Sequence, residues 1–129
     1  MNKSLIVQKY GGTSVGTLER IEMVADRIVK IRKTGADIVV VVSAMAGETD
    51  KLLKMARSLS KKPARREIDL LLSSGERISA ALLTIALQAR GIPALSMTGR
   101  QIGMQTDSTH TRARIKNIDT KRAKKMLKE

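Results

Sequence analysis

A chain of 129 residues with 42% hydrophobic content holds one modest core and not two. It has no Cys, Phe or Trp and a single Tyr, which excludes a disulfide scaffold, a thiolate zinc site and a cysteine nucleophile, and disfavours base-stacking RNA modules. The net charge of +13 is uneven: residues 111–129 hold eight basic side chains against two acidic ones, leaving +7 on the first 110 residues.

Residues 5–10 (LIVQKY) predict a short strand that runs into the turn-rich stretch Gly11-Gly12-Thr13-Ser14-Val15-Gly16. Leu18, Ile21, Val24, Ala25, Ile28 and Ile31 recur at helical steps and predict an amphipathic helix over 18–33. Thr17 is its expected N-cap and Gly35 its stop. Residues 38–42 are β-branched without alternation, as in a central parallel strand covered on both faces, so strand, helix and strand form a βαβ unit. Helices are expected over 50–58 and 65–72, and Ser73-Ser74-Gly75 predicts a break before a long helix over 76–90. Gly91 is then its C-terminal glycine, and residues 94–97 read as a third strand. Residues 98–114 form a polar loop with room for a hairpin, and residues 120–128 a basic helix. The class is α/β with a parallel sheet.

No apolar run approaches bilayer length, the longest strictly aliphatic one being 38–42, and residues 1–7 lack the apolar core of a signal peptide. A cytoplasmic chain with no membrane partner is the expectation. His110 is the lone histidine, offers no pair for a metal, and reads as a surface loop residue.

Lys9-Tyr10-Gly11-Gly12-Thr13-Ser14 is the most informative stretch. A strand ending in a Gly pair before a helix start exposes backbone N–H groups, and Lys9 can aim an ammonium at the same place. The order rules out a Walker A loop, since the Lys precedes the glycines, and no dinucleotide fingerprint occurs. An ordinary βα turn with a solvated Lys is the plain alternative. The second loop, 43–49, follows a parallel strand and so lies at the same sheet edge, where Ser43 and Thr49 offer hydroxyls. Thr49 equally suits a helix cap, and Glu76 equally suits a first-turn carboxylate complementing a helix dipole.

Lys9–Ser14, Val39–Met45, Gly47–Asp50, Ser74–Ser79, Leu95–Gly103 and His110–Ile115 together resemble the aspartokinases, in order and with compatible spacing over essentially the whole chain. The resemblance implies the amino-acid kinase (carbamate kinase-like) fold, a three-layer αβα arrangement with a mainly parallel sheet, of which residues 1–129 are the N-terminal portion. It implies ATP-dependent phosphorylation of the L-aspartate β-carboxylate, with Mg²⁺ arriving on the nucleotide and no dedicated metal ligands in this chain. Lys9, Tyr10, Gly11, Gly12, Thr13 and Ser14 match the phosphate-loop positions, Lys9 being the catalytic cation. Thr49 and Glu76 match aspartate-contacting positions, with Ser43 lining the same pocket. The family also implies a homo-oligomer for a longer parent, and it places the nucleotide-binding half and ACT domains beyond residue 129. A rival reading is an inactive half-domain, or a basic module that binds nucleic acid or a protein partner through residues 111–129.

Overall fold

The computed structural model describes residues 3–128. Strand β1 (Leu5–Tyr10), helix α1 (Leu18–Arg32) and strand β2 (Asp37–Val42) form the expected unit, and β1 pairs with β2 in parallel from Leu5 opposite Asp37 to Tyr10 opposite Val42. The Thr17 side chain accepts from the Arg20 N–H at 3.2 Å and caps α1. At its far end Gly35 takes a positive φ of +88° and returns its N–H to the Arg32 carbonyl.

Helix α2 (Glu48–Leu59) starts two residues earlier than expected, at Gly47, with no side-chain cap. Thr49 therefore sits inside the first turn and caps nothing. Helix α3 runs unbroken from Arg65 to Gln88, which corrects the expected break at 73–75. The Ser73 and Ser74 hydroxyls bond back to the Leu70 and Leu71 carbonyls, so their polar groups are satisfied within the helix. Gly75 is buried there because α3 passes close to other elements: a Cβ at this position would meet the Ala44 Cβ at 3.3 Å and Leu52 Cδ1 at 3.4 Å. Glu76 is accordingly a mid-helix residue and complements no helix terminus.

Val15, Ile21, Val24, Ala25 and Ile28 meet Leu83, Ala86 and Leu87 of α3 to make the core. Tyr10, Ile38, Val40 and Val42 pack on it from one face of the sheet. Each buried Val, Leu or Ile contributes about 1.5–3 kcal/mol, so this seam of α1, α3 and sheet dominates stability. Arg90 fastens α3 to α1 by ion pairs with Asp26, at 2.8 Å, and with Glu22. By length and composition α3 is also able to cross a membrane. Here its Gly75, Ser79, Leu83, Ala86 and Leu87 are buried within the protein, and it carries Asp69, Glu76 and Arg77 along its length.

The other sheet face, made of Leu5, Val7 and Lys9 with Val39 and Val41, is uncovered among the described residues, so β2 is covered on one face and not two. Residues 94–97 run without strand pairing, which corrects the third strand. The hairpin allowed for at 98–114 consists of β3 (Met104–Thr106) against β4 (Ile115–Ile118), followed by the short basic helix α4 (Lys121–Met126).

Candidate phosphate and amino-acid site

Parallel pairing brings the loops after β1 and β2 to one sheet edge, and main-chain bonds lock them together. Ser43 N–H donates to the Tyr10 carbonyl at 3.2 Å, and Ala46 N–H to the Gly12 carbonyl at 3.1 Å. Gly12 is needed for this contact, since a Cβ there would lie 2.8 Å from the Ala44 carbonyl oxygen. Ser14 N–H closes a turn on the Gly11 carbonyl at 3.0 Å, and the next residue, Val15, is wholly buried in the core. The glycine loop is thus pinned from both sides.

Within this frame the N–H groups of Gly11, Gly12 and Thr13 have no hydrogen-bond partner among the described residues. Lys9, exposed at the end of β1, forms no ion pair among them. Three free N–H groups beside an uncommitted ammonium suit an anion. The N-terminus of α1 offers less than the sequence promised. Glu19 in its first turn is held below the usual carboxylate range by its own backbone N–H and by the Thr17 hydroxyl, so a negative charge already complements that dipole. An anion at this edge depends on Lys9 and the glycine N–H groups.

Tyr10 turns its side chain toward the core, with its hydroxyl on Gln8 Oε1 at 3.0 Å, so it offers the loop its backbone. Ser14 is half-buried and Thr13 exposed, the Thr13 carbonyl accepting from Arg20 Nη1 at 2.9 Å.

Ser79, fully buried, ties the second loop to α3: its hydroxyl lies 2.6 Å from the Ser43 carbonyl and 3.0 Å from that of Glu76. Ser43 and Glu76, distant in sequence, therefore stand around one hydroxyl. The first turn of α2 approaches the same stretch, with Glu48 Cγ 3.5 Å from a Cβ placed at Gly75. Thr49 is exposed in that turn, and neither its hydroxyl nor the exposed Glu76 carboxylate has a partner among the described residues. No cluster of three metal-ligating side chains occurs among the described residues.

Gly75 and Ser79 lie in the 74–79 stretch that carries the resemblance, but the close approach at Gly75 and the bond from Ser79 to the second loop were not legible in the sequence. Asp69 accepts from the Thr111 N–H, at 2.9 Å to Oδ2, and contacts His110 Nδ1 at 3.1 Å, which gives the lone histidine a partner the sequence could not identify.

Residues 4–129 match the model of the amino acid kinase family. The chain belongs to that family. It is 54% identical over 125 residues to the aspartate kinase Ask_LysC of Stutzerimonas stutzeri, covering 97% of this chain and 30% of the relative. Among solved structures, the aspartate kinase of Synechocystis shares 56% identity with a TM-score of 0.74, over 78% of this chain and 17% of that one. Aspartokinase III of E. coli, solved with aspartate and ADP, shares the fold at 21% identity and TM-score 0.69, over 87% of this chain and 35% of that one. A carbamate kinase of Giardia lamblia bound to AMP-PNP shares it at 16% identity and TM-score 0.60, over 97% and 52%. The amino-acid kinase fold expected from the sequence is thereby established. The chain spans about 30% of the length of the curated relatives it matches.

Proposed function

We propose that this chain supplies the phosphate loop and part of the aspartate site of an aspartate kinase, which phosphorylates the L-aspartate β-carboxylate to 4-phospho-L-aspartate, the entry to lysine, threonine and methionine. The observation that carries the reading is the 54% identity to an aspartate kinase over 97% of the chain. The free N–H groups and uncommitted Lys9 at one sheet edge, beside an unpaired carboxylate and two free hydroxyls, support it. In this reading the chain is the N-terminal part of a kinase domain, with the nucleotide-binding half and ACT domains outside these residues. The protein is cytoplasmic, and its longer form a homo-oligomer.

ATP, with Mg²⁺ on its phosphates, would supply the phosphoryl group. The N–H groups of Gly11, Gly12 and Thr13 orient its phosphate oxygens, with Ser14 holding the loop shape. Lys9, placed by the end of β1, balances negative charge that grows on the transferring group. Glu76 pairs with the substrate ammonium, and Thr49 and Ser43 hydrogen-bond its carboxylates. Phosphoryl transfer demands positioning and positive charge more than covalent chemistry, and this set of residues provides both.

Kinetics of the intact protein test the roles separately. Lys9→Met should lower kcat by about 10²–10³, as loss of one preorganised charge stabiliser does elsewhere. Glu76→Ala should chiefly raise KM for aspartate. Activity of Lys9→Met within about twofold of wild type would remove Lys9 from the transition state. An unchanged KM in Glu76→Ala would return Glu76 to the surface of α3.

A further inference from the structure

The turn that joins α2 to α3 carries a concentration of charge found nowhere else in the first 110 residues. Residues 51–66 hold seven basic side chains and no acidic one, a charge of +7. The remainder of residues 1–110 balances, with ten basic and ten acidic side chains. All seven are exposed, and only Lys51 and Arg66 have acidic partners among the described residues, Glu48 and Glu67. The overall basicity of the protein does not explain this, because it is local.

Beneath these charges the end of α2 and the start of α3 diverge around an open cavity of about 670 Å³. Its wall is mainly apolar, with Ala56, Leu59, Ile68, Leu70 and Leu71, and its charged lining is Lys62, Arg77 and Glu67, the last paired with Arg66. Leu59 is 91% exposed and Leu70 56% exposed. An apolar groove between two helices, with the exposed cations of 51–66 alongside it, fits one shape of ligand well: a helix with an apolar stripe flanked by carboxylates. A membrane surface is a poorer match, because most of the apolar wall lines a cavity between two helices and does not project from one face. Nucleic acid is poorer still, since the chain has no Phe or Trp on which bases could stack and its single aromatic, Tyr10, faces the core.

We propose that the α2–α3 groove docks an acidic amphipathic helix from a protein partner. The apolar stripe seats against Leu59, Ile68 and Leu70, and flanking Asp or Glu side chains meet Arg57, Lys61, Lys62 and Arg65. The groove shares no residue with those assigned to phosphate or aspartate, and its lining reaches Ser74 and Arg77 beside Glu76.

The test uses the intact protein and two synthetic helical peptides of about 15 residues, about 22 Å long. Both carry Leu at i, i+3 and i+7, one with Glu and the other with Lys on the flanks. The Glu peptide should bind one to one by fluorescence anisotropy, about tenfold or more tighter than the Lys peptide. Leu59→Asp should weaken it by about tenfold, and Lys61→Glu with Lys62→Glu should reverse the preference between the peptides. These side chains are exposed, so the variants fold. Failure of the Glu peptide to bind, equal binding of both peptides, or indifference to the charge reversal overturns the proposal. Binding to phosphatidylglycerol vesicles that is lost in Leu59→Asp, without peptide binding, assigns the surface to lipid instead and also overturns it. Self-association abolished by Leu59→Asp, again without peptide binding, assigns it to a second copy with the same consequence.

Discussion

At Gly75 two effects of opposite sign meet at one atom. A helix interior favours Ala over Gly by about 1 kcal/mol. An added Cβ there, however, lies 3.3 Å from the Ala44 Cβ, which is fixed to the backbone, and 3.4 Å from Leu52 Cδ1, which can move. Overpacking costs about 1–3 kcal/mol. Gly75→Ala should therefore be close to neutral, and Gly75→Leu should lose about 3 kcal/mol in urea unfolding, since its branch has no space beside Ala44 and Leu52. Four residues on, Ser79→Ala leaves the Ser43 carbonyl without its 2.6 Å donor, an expected loss of about 1–3 kcal/mol by the same measurement. If that bond also fixes the second loop, the variant's KM for aspartate rises alongside. The sequence showed Ser73-Ser74-Gly75 as helix-breaking types, and their local preference does point that way. What it could not show was the approach of Ala44 and Leu52, which makes the small residue necessary and keeps the helix whole. By contrast the turn at Gly11-Gly12 was legible between a strand and a helix, and the Ala44 carbonyl beside Gly12 requires a glycine at the second position.

Elements were legible where periodicity was sustained and obscure where pairing partners decide. The apolar repeat of α1 and the β-branched run of β2 gave bounds within a residue of those observed. Residues 94–97 have strand-like composition but no neighbour to pair with among the described residues, whereas the short exposed segment β4 pairs because β3 lies opposite. The loop between β3 and β4 is held by side chains. Asp107 Oδ1 accepts from the Thr109 N–H at 2.9 Å, and Asp107 N–H donates to the Arg114 carbonyl at 3.0 Å. Backbone donation, chiefly from Thr109, holds the Asp107 carboxyl below its ordinary value of 3.8. A pKa lowered by folding means that this stabilisation is complete above the ordinary Asp range and is lost as pH falls through the lowered folded value. The Thr109 amide resonance should accordingly shift on acidification at a pH below the ordinary Asp value, together with faster amide exchange around 107–114. In Asp107→Ala that step should disappear while β1, α1 and β2 report no change.

Across the described residues as a whole, the decisive fact is that only one side of the sheet is dressed. A run of five β-branched residues in 38–42 suggested cover on both faces, yet among the described residues α1 and α3 cover only the side of Ile38, Val40 and Val42. Leu5, Val7 and Val41 stay 56%, 65% and 45% exposed on the other. An apolar sheet face flanked by unpaired strand edges attracts a second copy. Covering the exposed half of three such side chains on each of two partners returns about 5–9 kcal/mol in all, against about 4–15 kcal/mol for association, so the two nearly cancel. The 129-residue chain on its own should therefore associate weakly, its sedimentation coefficient rising over about 10 μM to 1 mM, a range typical of weak complexes. Val7→Lys with Val41→Lys places cations in the middle of that face and should hold the coefficient constant across the range. Neither residue touches the helix-side core, so circular dichroism should remain that of the parent chain. A wild-type coefficient independent of concentration would mean that the open face is tolerated by a monomer. Association unaffected by the two lysines would move the contact elsewhere, with the α2–α3 groove and its exposed Leu59 the next surface to vary.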